Sequence, residues 1–186
     1  MTYTRKIITV LCAACTLLSA TPTQAQTPAA PTAKAPKLTK MQEAFQGVQW
    51  ATDNKPNLKA RYYIYLLSAS WCGPCQRLMP QIVEAYKTEM KEGKRVEIIL
   101  TACEQRMEDV AAYVSKYGAT FPAIHISHPD TKNFVGFNRE YMRNGIPYVV
   151  ICDNEGNVLA RGNGGLFASW KDIIKKDKEA KNAAKK

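Results

Sequence analysis

The segment from Arg61 to Ser70 restricts the fold of this 186-residue chain more than any other. It reads RYYIYLLSAS, a run of aromatic and aliphatic residues that is typical of a buried strand. Apolar residues then recur at steps of four, which predicts an amphipathic helix directly after the strand. They are Leu78, Ile82, Tyr86 and Met90. The fold must therefore place a buried strand next to the start of a helix.

Similar patterns along the rest of the chain predict one α/β domain. A short leading helix is expected at Leu38–Val48, because Thr39 and Gln42 fit a capping box. Strands are expected at Val96–Thr101, Pro122–Ser127, Tyr148–Cys152 and Asn157–Gly162, and helices at Met107–Tyr117 and Leu166–Ile174. The segment 128–145 is expected to be irregular, with one helical turn at Asn138–Met142.

The order of these elements predicts a central mixed sheet with helices on both faces. The first two long strands, joined through a helix, are expected to be parallel neighbours. Asp153-Asn154-Glu155-Gly156 is a hairpin turn signature, and we expect both hairpin strands to run antiparallel to the first two.

The first 25 residues have the features of a secretory signal peptide. Arg5 and Lys6 precede an uncharged stretch from Ile7 to Ala20, and small residues follow at Thr23 and Ala25. An uncleaved membrane anchor is the alternative interpretation. Residues 26–37, rich in proline, alanine and threonine, are expected to form a flexible tether. We therefore expect an exported, periplasmic protein, in a compartment where disulfides persist.

The motif Trp71-Cys72-Gly73-Pro74-Cys75 stands where the first buried strand ends and the helix begins. Two cysteines at this spacing can alternate between a dithiol and a disulfide. The N–H groups at the start of a helix stabilise an anion, so Cys72 is predicted to be the nucleophilic thiolate. Cys75, one turn into the helix, is predicted to resolve the mixed disulfide.

A Cys-x-x-Cys pair can serve two purposes other than redox chemistry. One is an inert structural disulfide. The other is a zinc site completed by His125 and His128, the two histidines of the chain, although they lie over 50 residues away. Redox chemistry is favoured, and we expect neither a metal nor a cofactor.

The motif resembles the active-site segment of thioredoxins, with Pro80 five positions after Cys75. Gly145-Ile146-Pro147 resembles their cis-proline segment, and the middle of the chain is similar to their exported and tryparedoxin-like branches. The resemblance covers about residues 58–175 and implies a thioredoxin fold. It also implies that Ile146–Pro147 is cis and faces the cysteines, where the Ile146 backbone can pair with an extended substrate.

The substrate-binding residues expected from this resemblance are Trp71, Gly73, Pro74, Ile146 and Pro147. One departure concerns the buried acid that thioredoxins carry six residues before the first cysteine, because Leu66 occupies that position. Glu97 and Glu104 are acidic candidates for its role.

Two further cysteines follow in the mature chain. Cys103 is expected at the same edge of the sheet as the motif and Cys152 at the opposite edge, so a disulfide between them is not expected. Cys152 is interpreted as a buried apolar filler. For Cys103 the same interpretation stands beside a third redox thiol or a role in metal capture.

The chain has 26 Lys and Arg against 16 Asp and Glu, for a net charge of +10. Seven lysines against three acids lie between Lys171 and Lys186, and residues 177–186 are expected to form a lysine-rich tail after a domain at 38–176. This end suits a solvated surface, or weak contact with anionic lipid or acidic clients. No aromatic residues interleave with it, so nucleic acid is not an expected partner.

These observations predict an exported thiol–disulfide oxidoreductase that reduces disulfides of client proteins. A reductant in an oxidising compartment needs a membrane partner that returns electrons to it. The alternatives are a disulfide oxidase or isomerase, and a redox-inert module that binds peptides or a metal.

Overall fold

The computed structural model describes residues 37–90, 95–136 and 143–185. The predicted signal peptide, the tether up to residue 36 and the helical turn at Asn138–Met142 lie outside these ranges, and they stay predictions. Within the described ranges, no helix combines the length and the apolar character needed to cross a membrane.

Five strands form one sheet in the spatial order β3-β2-β1-β4-β5. The parallel half contains β1 (Tyr62–Ser68), β2 (Val96–Ala102) and β3 (Ala123–His125). On the other side of β1, β4 (Tyr148–Asp153) is antiparallel to β1, and β5 (Val158–Asn163) is antiparallel to β4. The predicted strands and the parallel pairing of the first two are confirmed.

The direction of β5 corrects one expectation. Both hairpin strands were expected to run antiparallel to β1 and β2, but this holds only for β4. The chain reverses once between β1 and β4 and again at the turn after Asp153, so β5 runs in the same direction as β1.

Among the described residues, four α-helices pack against this sheet: α1 (Lys40–Ala44), α2 (Gly73–Ala85), α3 (Asp109–Lys116) and α4 (Trp170–Ala183). A π-helical turn, Tyr86–Met90, extends α2, and two short 3-10 helices span Pro129–Asn133 and Gly164–Ser169. α1 begins at the predicted capping box, in which Thr39 Oγ1 accepts the Gln42 N–H at 3.3 Å and Gln42 Oε1 accepts the Thr39 N–H at 2.9 Å. α4 includes most of the segment expected as a lysine-rich tail.

The two faces of β1 contribute to two separate apolar layers. Tyr62, Ile64 and Leu66 pack in the layer that contains residues of α2, α3 and α4. The intervening β1 residues pack with α1 and with Phe134 on the other face. Because all seven residues of β1 are buried, the strand has the continuous apolar sequence that first identified it. Helices on both faces of the sheet are confirmed.

Strand register defines two edges of the sheet that matter for function. At the carboxyl edge, Ser68 at the end of β1 pairs with Ala102 at the end of β2, and Tyr148 at the start of β4 pairs with Leu67. At the opposite edge, Tyr62 pairs with both Val96 and Asp153. The loops after β1 and β2 and the segment before β4 therefore meet at the carboxyl edge.

Candidate active site at the carboxyl edge of the sheet

The Cys72–Cys75 pair occupies the junction between β1 and α2. Cys72 is the N-cap residue of α2, and its Sγ accepts the backbone N–H of Cys75 at 3.3 Å. The two cysteines form a disulfide with their Cα atoms 5.2 Å apart. Pro74 lies in the first turn of the helix. Backbone N–H groups there have no acceptor within the helix, so a proline, which lacks this N–H, breaks no helical hydrogen bond.

Cys72 is more exposed to solvent than Cys75, as predicted for a nucleophile and its resolving thiol. Cys75 is 1% exposed and Cys72 is 7% exposed, whereas the neighbouring Trp71 is 59% exposed. Trp71 therefore offers an apolar surface beside the more accessible cysteine. When the disulfide is reduced, the helix N-terminus and the Cys75 N–H will stabilise a thiolate at Cys72.

The segment before β4 faces this pair. The Ile146–Pro147 peptide bond is cis, and Gly145 has φ +77°, a conformation that favours glycine. The carbonyl oxygen of Ile146 lies 3.5 Å from Cys72 Sγ. The structure thus places the backbone of Ile146 beside Cys72, where the resemblance to thioredoxins implied it, and Pro147 follows through the cis bond.

A set of hydrogen bonds through Ser70 fastens the loop that carries Cys72. Both carboxylate oxygens of Glu104 accept from Ser70, one from its N–H at 2.6 Å and one from its Oγ at 2.8 Å. Gln76 Nε2 donates to the Ser70 carbonyl at 2.5 Å. The Trp71 Nε1–H donates to the carbonyl of Cys103 at 3.1 Å. The loop is therefore held from both sides, by the segment after β2 and by the first turn of α2.

The structure separates the two acidic candidates for the role of the missing buried acid. Glu97 lies near the start of β2, at the edge opposite Cys72, where its carboxylate accepts from the Asn57 N–H and the Tyr86 hydroxyl. Glu104 lies at the carboxyl edge and contacts the loop of Cys72 through Ser70. Leu66 is buried in the apolar layer with α2. Only Glu104 of the two candidates is placed to influence the cysteines.

Cys103 and Cys152 are both free and buried. Cys103 follows β2 at the carboxyl edge, and Cys152 pairs with Tyr63 near the opposite edge. The expected separation of these two cysteines is thus observed. Burial raises the pKa of each thiol to about 12.

His125 has both ring nitrogens in hydrogen bonds with the backbone. Nε2 lies 3.0 Å from the Glu104 carbonyl, and Nδ1 accepts the Ser127 N–H at 3.1 Å. His128 Nδ1 accepts the N–H of Asp130 at 3.3 Å. In the described residues no three His, Cys, Asp or Glu side chains form a cluster suited to a metal. The histidines are therefore engaged in local structure and do not approach the cysteines as a ligand set.

A groove of about 440 Å³ borders the cis-proline segment, and sequence reasoning did not anticipate it. One wall is the outward face of α2, with Pro74, Arg77, Leu78 and Gln81. The other walls are residues 144–147 and residues 163–165 at the end of β5. We call this the cis-proline groove.

Gly164 forms part of that groove because it has no side chain. A Cβ atom there would lie 2.6 Å from Pro147 Cγ and 2.8 Å from Leu78 Cδ2, which is too close for either contact. Asn163 Oδ1 accepts the N–H of Gly165 at 3.1 Å and starts the 3-10 helix. Gly162 and Asn163 end β5, and Gly164 and Gly165 begin the 3-10 helix that packs on the proline.

Comparison with known proteins places these features in context. A family model described as thioredoxin-like matches residues 60–158. Nucleoredoxin from Xenopus laevis is 31% identical over 104 residues, which are 56% of this chain and 24% of that protein. The thiol-disulfide oxidoreductase ResA of Geobacillus thermodenitrificans is 28% identical over 89 residues, 48% of this chain and 47% of that protein. The chain therefore matches between about a quarter and a half of the length of these relatives.

The fold is shared with a solved structure at lower identity. Tryparedoxin II from C. fasciculata is 20% identical, with a TM-score of 0.53, and the match covers 72% of this chain and 89% of that one. At this identity the likeness concerns the fold alone.

Proposed function

Because the chain belongs to the thioredoxin-like family, we propose that it is a thiol–disulfide oxidoreductase acting through Cys72 and Cys75. The observation that carries the proposal is the position of Cys72. Its Sγ lies at the N-terminus of α2, accepts the Cys75 N–H and lies 3.5 Å from the Ile146 carbonyl. A nucleophile, a resolving thiol and a backbone segment for substrate are thus within one site.

In the reducing direction, the Cys72 thiolate attacks one sulfur of a client disulfide. The client S–S bond breaks, the other client sulfur leaves as a thiolate, and a Cys72–client disulfide forms. Cys75 loses its proton to solvent and attacks Cys72 Sγ, which releases the second client thiolate. The client gains two electrons and, after protonation, two thiols, while the protein retains the Cys72–Cys75 disulfide.

The neighbouring residues hold the reacting atoms in place. The backbone of Ile146 is positioned to pair with an extended client segment, and Pro147 forms the floor beside it. Trp71, Gly73 and Pro74 present the surface around Cys72. The Ser70–Glu104 hydrogen bonds fix the loop, so little ordering is needed when a client binds.

We further propose that the protein is exported, with the periplasm as its compartment, and that it reduces client disulfides there. The charged start and apolar run of residues 5–20 support export. The Gly73-Pro74 pair between the cysteines supports the reducing direction, since it resembles that of thioredoxins. A membrane protein that supplies electrons would then be a partner, and an uncleaved N-terminus would tether the domain to the membrane.

The catalytic part of the proposal is tested by reduction of insulin with dithiothreitol as electron source. We expect the protein to accelerate insulin precipitation, and Cys72→Ser and Cys75→Ser to abolish the acceleration. Cys152→Ser is the matched control, because that thiol is buried at the opposite edge. Equal activity of Cys72→Ser and the unaltered protein would contradict the proposal.

The direction of electron flow is tested separately by the reduction potential of the pair, measured with Cys103 and Cys152 replaced by Ser. A potential near about −270 mV is expected for a reductant. A potential near about −120 mV would instead identify a disulfide oxidase.

A further inference from the structure

The described residues that line the cis-proline groove are uncharged except for one cation. Of the described residues that line it, Arg77 alone carries a charge. Leu78 and Pro147 supply apolar surface, and Asn144 and Asn163 supply polar groups at the rim. The groove therefore combines an apolar floor with a single cation.

Arg77 lies close to the redox pair. Its Nη1 is 3.7 Å from the point where a side chain on Gly73 would begin, so the guanidinium lies beside the first turn of α2, between the two cysteines. Arg77 is exposed, and none of the ion pairs formed among the described residues involves it. Its charge is thus available to a molecule that enters the groove.

Ile146 lines the groove and its carbonyl lies 3.5 Å from Cys72 Sγ, so a client segment bound to Cys72 and continuing along Ile146 would bring a neighbouring residue near Arg77. A carboxylate on one of those neighbours would gain an ion pair and bidentate hydrogen bonds from the guanidinium. A lysine or arginine at the same position would be repelled. The apolar floor accommodates an adjacent aliphatic or aromatic side chain.

We propose that Arg77 makes the cis-proline groove selective for clients that carry an acidic residue close to the reacting cysteine. This inference rests on the proposed function, because it concerns the substrates of the same site. A single partly solvated charge pair changes a rate constant by about fivefold, since its interaction amounts to about 1 kcal/mol.

The test uses the full chain with Cys75→Ser, so that the reaction stops at the mixed disulfide. The probes are short peptides whose one cysteine is linked by a disulfide to thionitrobenzoate. Cys72 attacks the peptide sulfur, the peptide–thionitrobenzoate bond breaks, and thionitrobenzoate leaves as a coloured thiolate. Peptides with Glu, Gln or Lys at each of the four positions on either side of the cysteine are compared.

We expect at least one position at which the Glu peptide reacts about fivefold faster than the Gln peptide at low salt, with the Lys peptide slower than both. In Arg77→Gln this ratio should fall to about one, and in Arg77→Glu it should invert. The ratio is the readout because any general change in the reactivity of Cys72 affects both peptides equally. Lys87→Glu, an equal charge change on the π-helical turn ten residues away, should keep the ratio of the unaltered protein.

The outcomes separate the two proposals. The inference would be overturned if the protein with Arg77 and the Arg77→Gln variant gave equal rate ratios, or if no peptide position showed a charge preference. Either result would leave the oxidoreductase activity in place. Failure of every peptide, including the neutral ones, to react with Cys72 would overturn the proposed function itself.

Discussion

Cys72 and Cys103 lie at the same edge of the sheet, yet their surroundings give them different chemistry. Cys72 caps a helix, where an anion is stabilised. Cys103 lies in the same apolar layer as Cys72, beside Phe134 and Ile124, but it caps no helix, and its backbone N–H donates to the Ser68 carbonyl at 2.7 Å. Burial raises the pKa of its thiol to about 12, a separate interaction of the thiol with the backbone of Ser68 lowers it in part, and the nearby Glu104 carboxylate raises it.

This contrast predicts selective alkylation of the reduced protein. Because a raised pKa keeps Cys103 in the thiol form below about pH 12, iodoacetamide at pH 8 should modify Cys72 and leave Cys103 unmodified. Peptide mass spectrometry after a short reaction measures both sites. Cys103→Ser should leave the rate at Cys72 unchanged, and modification of Cys103 as fast as Cys72 would show that it is a third reactive thiol.

At the scale of elements, the segment that follows β5 packs against the cis-proline segment through one glycine, Gly164. Gly164→Ala should lower the free energy of unfolding by about 1–3 kcal/mol, because the new Cβ meets Pro147 and Leu78. It should also slow reaction with peptides, since the groove wall must move. Chemical denaturation and the thionitrobenzoate assay measure the two effects.

Gly162→Ala is the matched control for that substitution. Its Cβ would lie 3.8 Å from Leu166, an ordinary contact, so stability should change by less than about 1 kcal/mol. If Gly162→Ala and Gly164→Ala lowered the free energy of unfolding equally, the contact with Pro147 would not account for the loss of stability.

The sequence predicts elements well where the pattern is local, and less well where distant segments meet. The apolar run of β1 and the capping box at Thr39 identify their elements directly. The direction of β5 depends on how many times the chain reverses between β1 and β5, and no local sequence pattern indicates that number. The groove beside Arg77 forms only when α2, Gly164 and Pro147 come together, so its lining could not be deduced from spacing. Likewise, Glu97 is excluded from the site by strand register alone.

At the scale of the whole molecule, a charge network between buried Asp153 and half-exposed Lys181 joins α4 to the sheet. Asp153 at the end of β4 accepts from Lys181 Nζ and from Asn157 Nδ2, both at 2.9 Å. Lys181 also pairs with Asp177 at 2.8 Å, and Asp177 accepts from the Tyr62 hydroxyl at 2.9 Å. Burial opposes ionisation of Asp153, but its hydrogen bonds outweigh that effect and hold its pKa below the usual range.

The lowered pKa of Asp153 predicts acid sensitivity of the folded state. A carboxyl whose pKa is lower in the folded than in the unfolded protein stabilises the fold above its unfolded pKa, about 4. That stabilisation is lost as the pH falls through the folded pKa. The free energy of unfolding should therefore decrease below about pH 4, and Asp153→Asn should make this decrease shallower. Urea titrations between pH 2.5 and 7 measure it, and an unchanged slope in Asp153→Asn would contradict the assignment.

Both ends of the described chain reach the edge of the sheet opposite Cys72. Near Lys37, the N–H of Met41 donates to the carbonyl of Asn154, and Lys181 near the end of α4 contacts Asp153. A fused domain, a solid support or an electrode attached at residue 37 or residue 185 would therefore lie at the edge of the sheet away from the redox pair. The domain is thus suited to use as an attached module, whose reactivity should not depend on which end is fixed.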